Sequence, residues 1–139
     1  MAKKVVTLFE EQTLPLAGEL MQFRKIRHLP VIDDDNHVVG IVTHRDVLRA
    51  QLSGLNGLNA QERNQLQQTV QVKNIMNRDV WTVSQDADAY RAARLLVDHQ
   101  FGCLPVVNSN HEIVGIVTDS DFLRFAVSVL RKYDSPLID

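Results

Sequence analysis

Gly40-Ile41-Val42-Thr43-His44-Arg45-Asp46 recurs as Gly115-Ile116-Val117-Thr118-Asp119-Ser120-Asp121, an offset of 75 positions (115 − 40). The offset needs no gap from Val5 against Val80 to Ala50 against Phe125. Between Leu29 and Arg49 it brings together identical pairs such as Leu29/Leu104, Pro30/Pro105, Val31/Val106, Val39/Val114 and Leu48/Leu123. A fixed period of this kind marks a repeat architecture, each copy one supersecondary unit that cannot bury its apolar face alone.

Outward from the repeated stretch, each copy reads as the same series of elements. Residues 5–8 and 80–83 are short β-branched runs that fit buried strands. A helix follows: Ala89, Ala92, Ala93 and Leu96 fall at i, i+3, i+4 and i+7, and Leu14, Ala17, Gly18 and Met21 hold those places in the first copy. Thr13 can cap that first helix, Pro15 is tolerable in its opening turn, and Gly18 weakens it by about 1 kcal/mol while leaving room for a neighbouring helix. Leu29-Pro30-Val31-Ile32 and Leu104-Pro105-Val106-Val107 read as strands with proline at the entry. Polar turns, Asp33-Asp34-Asp35-Asn36 and Asn108-Ser109-Asn110-His111, lead to the glycine-containing strands and close a hairpin in each copy. The aspartates lack the glycine and distal glutamate of a helix-loop-helix calcium site and read as a solvated turn. A second helix follows Thr43 and Thr118; in the second copy it is apolar on more than one face, from Phe122 to Leu130, so part of it should meet another chain or the other half.

Four segments result: a first repeat, residues 1–50; a Gln/Asn-rich connector, residues 51–71, with Gly54 and Gly57 as breakers and a helix capped at Asn59; a second repeat, residues 72–131; and a tail, residues 132–139. The expected fold is mixed α/β (α+β), two β-α-β-β-α units packed about a pseudo-twofold axis, because neither small sheet can cover both its faces alone. The offset sets Met1 against Met76, so the first repeat lacks a counterpart of Val72-Lys73-Asn74-Ile75, and excision from a longer protein or a late start is the expectation.

With 45% hydrophobic and 23% charged residues, 139 residues suffice for one compact body. A net charge of −2 without a basic stripe argues against nucleic acid as a partner. A single cysteine, Cys103, rules out an internal disulfide, and no apolar run approaches the roughly 20 residues of a membrane helix; a cytoplasmic setting without direct membrane insertion is expected. The five histidines have no H-E-x-x-H spacing, and no Walker loop, G-x-G-x-x-G or G-x-S-x-G occurs, so a metal site or a catalytic constellation cannot be assembled. Cys103 reads as a small buried hydrophobe rather than a nucleophile.

An apolar strand ending in threonine, with aspartate three residues on, has two readings. It forms a capping box, Thr43 with Asp46 and Thr118 with Asp121. It also offers a helix N-terminus and hydroxyl to a phosphate, and a carboxylate to both hydroxyls of a ribose. From the charges alone, Arg27, His28, His44 and Arg45 could surround a phosphate chain in the first cleft, whereas Asp119 and Ser120 suit the second to a less charged ligand or none. Gly40 and Gly115 permit a bulge or close backbone approach.

The two G-I-V-T-x-x-D segments, the two L-P-V segments and the runs around Thr7 and Thr82 together resemble a tandem pair of CBS domains (a Bateman module), over nearly the whole chain outside the connector and the last residues. The resemblance implies a regulatory, non-catalytic two-cleft module that binds AMP, ADP, ATP or S-adenosylmethionine, with no required cofactor. By position it implies Asp46 and Asp121 on ribose hydroxyls and Thr43 and Thr118 on ribose or phosphate. Residues near Thr7 and Thr82, with Arg27 and His28 in one copy and Gly102 and Cys103 in the other, would line base and phosphate pockets. Unequal occupancy is expected, with the Thr43/Asp46 cleft the better polyphosphate site. A homodimer signalling to an effector domain in cis or in trans is the expected setting; a ligand-free dimerisation scaffold, in which the Thr/Asp pairs are only caps, is the alternative.

Overall fold

Each copy folds into a three-stranded sheet with helices against it, and the order of elements follows the repeat. The first half holds β1 (Leu8–Phe9), α1 (Leu14–Arg24), β2 (His28–Ile32), β3 (Val38–Thr43) and α2 (His44–Leu52). The connector carries α3 (Ala60–Thr69), and a 3-10 turn, Val72–Asn74, opens the second repeat. The second half holds β4 (Val83–Ser84), α4 (Ala89–His99), β5 (Cys103–Val107), β6 (Ile113–Thr118) and α5 (Asp119–Tyr133). This computed structural model describes residues 5–53 and 57–133; Gly54, Met1 and most of the tail, residues 134–139, lie outside them.

The sheets have the orders β1-β2-β3 and β4-β5-β6. In each, the first strand runs parallel to the second across the helix, and the second and third form the antiparallel hairpin. The first strands are shorter and later than residues 5–8 and 80–83 suggest. β1 pairs only at Leu8↔Val31 and Phe9↔Ile32, because the next rung falls on Pro30, which has no N–H to give. At the turns, the Asp33 carboxylate accepts from the backbone N–H groups of Asp35 and His37, both at 2.9 Å, and Asn36 takes φ 66°. Asn108 accepts from Asn110 and Glu112, both at 3.0 Å, and His111 takes φ 61°. The acidic run is a turn built on Asp33. A register shift between Val31 and Ile32 recurs between Val106 and Val107.

The two sheets meet at these hairpin ends. His37 bridges Glu112, its own counterpart (37 + 75 = 112), in antiparallel fashion, and Ile113 N–H donates to the Asn36 carbonyl at 3.0 Å. Equivalent residues facing each other in this way place the pseudo-twofold axis between them.

The halves are not equally closed. In the first, Leu8, Leu14, Ala17, Leu29, Val31, Val42 and Val72 have no exposed surface. Val72 opens the second repeat in sequence yet fills the core of the first half in space, and Met76 joins it there. The stretch that brings them lies along the start of α1. Leu14 N–H donates to the Val70 carbonyl (2.9 Å), Val72 N–H to the Gln12 carbonyl (2.7 Å) and Lys73 N–H to the Glu10 carbonyl (3.0 Å). Thr13 stands at the N-cap position of α1 but its side chain makes no capping bond, and the connector's Val70 carbonyl takes the N–H of the first helical residue. Gly40 answers to the same stretch: a Cβ there would lie 2.5 Å from Met76 Sδ and 3.2 Å from the Asn77 carbonyl oxygen. In the second half Ala92 and Leu96 of α4 are buried, Ala89 is exposed, and α5 has no buried residue.

Candidate functional site

Capping boxes hold the strand-to-helix junctions locally. Thr43 Oγ1 accepts from the Asp46 N–H at 3.1 Å while Asp46 Oδ2 accepts from the Thr43 N–H at 2.9 Å. Thr118 and Asp121 repeat the arrangement at 3.3 and 2.9 Å. The first N–H of α2 donates to the Arg27 carbonyl (2.8 Å) and that of α5 to the Gly102 carbonyl (3.1 Å), so the loop before β2 or β5 is tied to the junction of its own half. Both loops also reach the junction of the opposite half.

Two clefts result, each built from both halves. The first, about 290 Å³, sets Thr43, Arg45 and Asp46 against Trp81, Gly102 and Cys103. The second, about 440 Å³, sets Thr118, Ser120 and Asp121 against Val6, Arg27 and His28. Under the offset of 75 these are the same positions with the halves exchanged. This corrects the pairing expected from sequence. Arg27, His28, His44 and Arg45 do not converge on one cleft. Arg27 joins Thr118 and Asp121, Arg45 stays with Asp46, and His28 lines both. His44 turns with Arg27 towards a separate cavity of about 780 Å³ between α1, α2 and α3. Thr7 and Thr82 line neither cleft; Val5, Val6, Val80 and Trp81 just before them do.

The charges therefore fall in the reverse of the expected order. The second cleft gathers Lys25, Arg27 and Arg124 against Asp119 and Asp121; the first holds Arg45 against Asp46 and Asp79. Arg124 donates to Asp121 Oδ1 at 2.7 Å. Burial pushes the Asp121 carboxyl up, but the Thr118 N–H and Arg124 outweigh it and hold the group below its usual value. Asp46 Oδ1 has no protein partner among the described residues, so it is open to a hydroxyl. At α5 the Ser120 N–H is taken by the Asp119 carboxylate at 2.8 Å, which leaves Lys25 and Arg27, rather than the helix N-terminus, to meet an anion in this cleft.

His28 lies over the α-carbon of Gly102, so closely that any side chain at Gly102 would collide with the imidazole. Burial lowers its pKa, Asp119 works to raise it and Arg27 adds to the lowering. Burial and Asp119 push the Cys103 thiol up to about 12, so it enters the first cleft as a neutral, apolar wall. Beside it Trp81 and Phe101 stand with ring centroids 6.0 Å apart, and His99 stacks on Phe101 at 5.1 Å. This aromatic cluster was not anticipated, since Trp81 reads from sequence as one more strand residue; its signal is that the counterpart, Val6, is not aromatic. Among the described residues no cluster of three potential metal ligands occurs, and no helix is long and apolar enough to cross a membrane.

The CBS domain family pattern matches residues 1–53 and 72–128. A CBS domain-containing protein of Dictyostelium discoideum is 31% identical over 131 residues, 94% of this chain and 90% of that one. A CBS domain pair crystallised with 5′-methylthioadenosine and S-adenosyl-L-methionine superposes with a TM-score of 0.75 at 25% identity, covering 92% of each chain. CBSX2 of Arabidopsis thaliana in complex with AMP gives 0.73 at 28% identity, over 91% of this chain and 90% of that one. Other relatives are much longer: the chain spans 22% of an inosine-5′-monophosphate dehydrogenase from Methanocaldococcus jannaschii, at 30% identity.

Proposed function

The chain belongs to the CBS domain family, and on that premise we propose that it is a non-catalytic regulatory module that binds adenosine-containing ligands in its two clefts. One observation carries the reading. Each cleft is made of one half's Thr/Asp junction and the other half's pre-strand loop, so a ligand lodged there touches both halves and biases how they pack. Such a bias requires only that the ligand bind one arrangement better than another. Relatives of the same fold hold AMP, 5′-methylthioadenosine or S-adenosylmethionine, which supports an adenosine core as the shared chemistry.

We assign the phosphate-rich ligands, ADP or ATP, to the Thr118/Asp121 cleft, where Lys25, Arg27 and Arg124 gather. The Thr43/Asp46 cleft suits an adenosine with little charge: Trp81 and Phe101 offer faces to a base, and Asp46 Oδ1 offers an acceptor to ribose. The module acts as a homodimer through α5, whose Leu123, Val127 and Leu130 form an exposed stripe at i, i+4 and i+7, and an effector in cis or in trans reads the change. The cytoplasm is its setting.

A thermal-unfolding screen with AMP, ADP, ATP, S-adenosylmethionine and a non-adenine nucleotide tests this. At 100 times its dissociation constant a ligand adds about 2.7 kcal/mol, and Asp46→Ala and Asp121→Ala report which cleft it uses. The closed capping boxes favour a second reading, a dimerisation scaffold in which both Thr/Asp pairs serve only their helices. A folded dimer whose midpoint responds to none of these ligands would establish the scaffold instead.

A further inference from the structure

The cavity of about 780 Å³ between α1, α2 and α3 is larger than either cleft and falls within the size range of small-molecule pockets. Its roof is the connector helix. A helix seated by packing turns an apolar stripe inward, yet α3 has no buried residue and lines the cavity with Asn64, Gln67 and Gln68, at i, i+3 and i+4. Of these three side chains Gln67 alone bonds within the protein among the described residues, its Nε2 donating to the Gln51 carbonyl at 3.4 Å. The helix is tied at its C-terminal end, where the Val70 carbonyl receives the Leu14 N–H at 2.9 Å.

The second half has the same place without these features. An offset of 75 carries the cavity onto a space of about 420 Å³, where Ala93, Val97, Gln100 and Asp119 replace Gly18, Gln22, Lys25 and His44. An amide and two basic groups thus face a valine, a neutral amide and a carboxylate. Arg27 adds a third basic group beside His44, whose N–H donates to the Arg27 carbonyl at 2.8 Å. Neither Lys25 nor Arg27 enters an ion pair among the described residues, and Glu19 is the single carboxylate they place on the wall.

We propose that this cavity is a third ligand site, separate from both clefts, for a phosphorylated polyhydroxy compound such as a sugar phosphate. Its wall carries two chemistries. Lys25, Arg27 and His44 present cationic or polar N–H donors, and charge-assisted bonds of this kind hold a phosphate. The amides of Gln22, Asn64 and Gln68 each offer both donors and an acceptor, which suits hydroxyl groups and not an apolar body. Lys25 and Arg27 also border the Thr118/Asp121 cleft. A phosphate here and a polyphosphate there draw on the same two cations, so each ligand weakens the other by the same factor.

The probe is glucose 6-phosphate, titrated by calorimetry into the full chain without nucleotide, with inorganic phosphate and glucose run beside it. Saturable binding of glucose 6-phosphate is expected, about ten-fold or more tighter than either fragment, since each fragment forfeits one set of hydrogen bonds. His44→Asp with Gln22→Val gives the cavity the side chains that its counterpart carries at Asp119 and Val97. The pair is expected to weaken glucose 6-phosphate about ten-fold or more, as loss of a bond to a charged group does; the thermal midpoint of the free variant checks its folding. Arg124 borders the second cleft and not this cavity, so Arg124→Ala should leave the affinity unchanged. No binding at millimolar glucose 6-phosphate overturns the proposal, as does equal affinity for inorganic phosphate or indifference to the paired substitution. Loss of binding in Arg124→Ala would put the anion in the nucleotide cleft, which also overturns it.

Discussion

The first half of this molecule is sealed and the second is open, although both follow one sequence pattern. The difference is not in the sheets, whose pairings match rung for rung. It lies in what covers the groove beside the first helix. Residues 70–76 cover it in the first half, with Val72 and Met76 in the core; among the described residues nothing covers it in the second. A repeat unit is thus completed by the segment that precedes its neighbour in sequence. The same exchange governs the clefts, each of which borrows its far wall from the other half. Duplication produces two similar frames, and the substitutions that matter are those at borrowed positions: Arg27 against Gly102, His28 against Cys103, Val6 against Trp81.

The comparison breaks most visibly at Leu14. Truncation to alanine should destabilise the protein by about 3 kcal/mol, the typical cost of an unfilled core cavity, whereas Ala89→Leu at the counterpart position should cost almost nothing. Chemical denaturation measures both, and a loss below about 1 kcal/mol for Leu14→Ala would mean that the first half is not sealed. For the clefts, Arg27→Ala should weaken ATP binding about ten-fold or more, the worth of a charge-assisted hydrogen bond, and leave adenosine binding unchanged. Titration calorimetry with the two ligands checks it; a larger loss in Arg45→Ala would return the phosphates to the Thr43/Asp46 cleft.

A smaller effect is expected at Gly18, whose counterpart is already Ala93. A Cβ there would meet Gln51 Nε2 at 3.5 Å and Val47 Cγ1 at 3.6 Å, ordinary contact distances. Gly18→Ala should therefore stabilise by up to about 1 kcal/mol through helix propensity alone, seen as a raised denaturation midpoint. A lowered midpoint would show that α2 packs on α1 too tightly for any side chain.

The repeat offset made the element order and the hairpins legible, because a period of this precision constrains every strand twice. Thr43, Asp46, Thr118 and Asp121 were legible for a local reason: a capping box lies within four residues. What sequence could not supply is which loop faces which junction. Arg27 and His28 are tied by their backbone to the Thr43 junction, yet Arg27 serves the other cleft and His28 lines both. That depends on the packing of halves across an axis, which no local spacing encodes. Trp81 was missed for the same reason, being a strand residue until the axis places it over a cleft. The seating of residues 70–76 crosses the boundary between the connector and the second repeat, and nothing in the spacing of Val70 and Val72 says that they pack on the first half.

The smallest effect concerns His28, which has no ionisable equivalent of similar pKa, since Cys103 stays a thiol. Burial holds the folded-state pKa of His28 below the unfolded value of 6.5, with Asp119 opposing and Arg27 assisting. Above pH 6.5 the imidazole is neutral in both states and contributes no pH dependence. As pH falls below 6.5 the unfolded chain takes up a proton that the folded chain resists, so stability declines until the folded pKa is reached and is constant below it. Asp121 works in a lower window: its depressed pKa gives stability that is full above 3.8 and lost as pH falls through the folded value. Between pH 7 and 5 the unfolding midpoint of the free protein should therefore fall more steeply than that of His28→Asn, and the curves should run parallel above pH 7. A variant that tracks the parent through this window would show that the imidazole is protonated in place, free of the Gly102 wall.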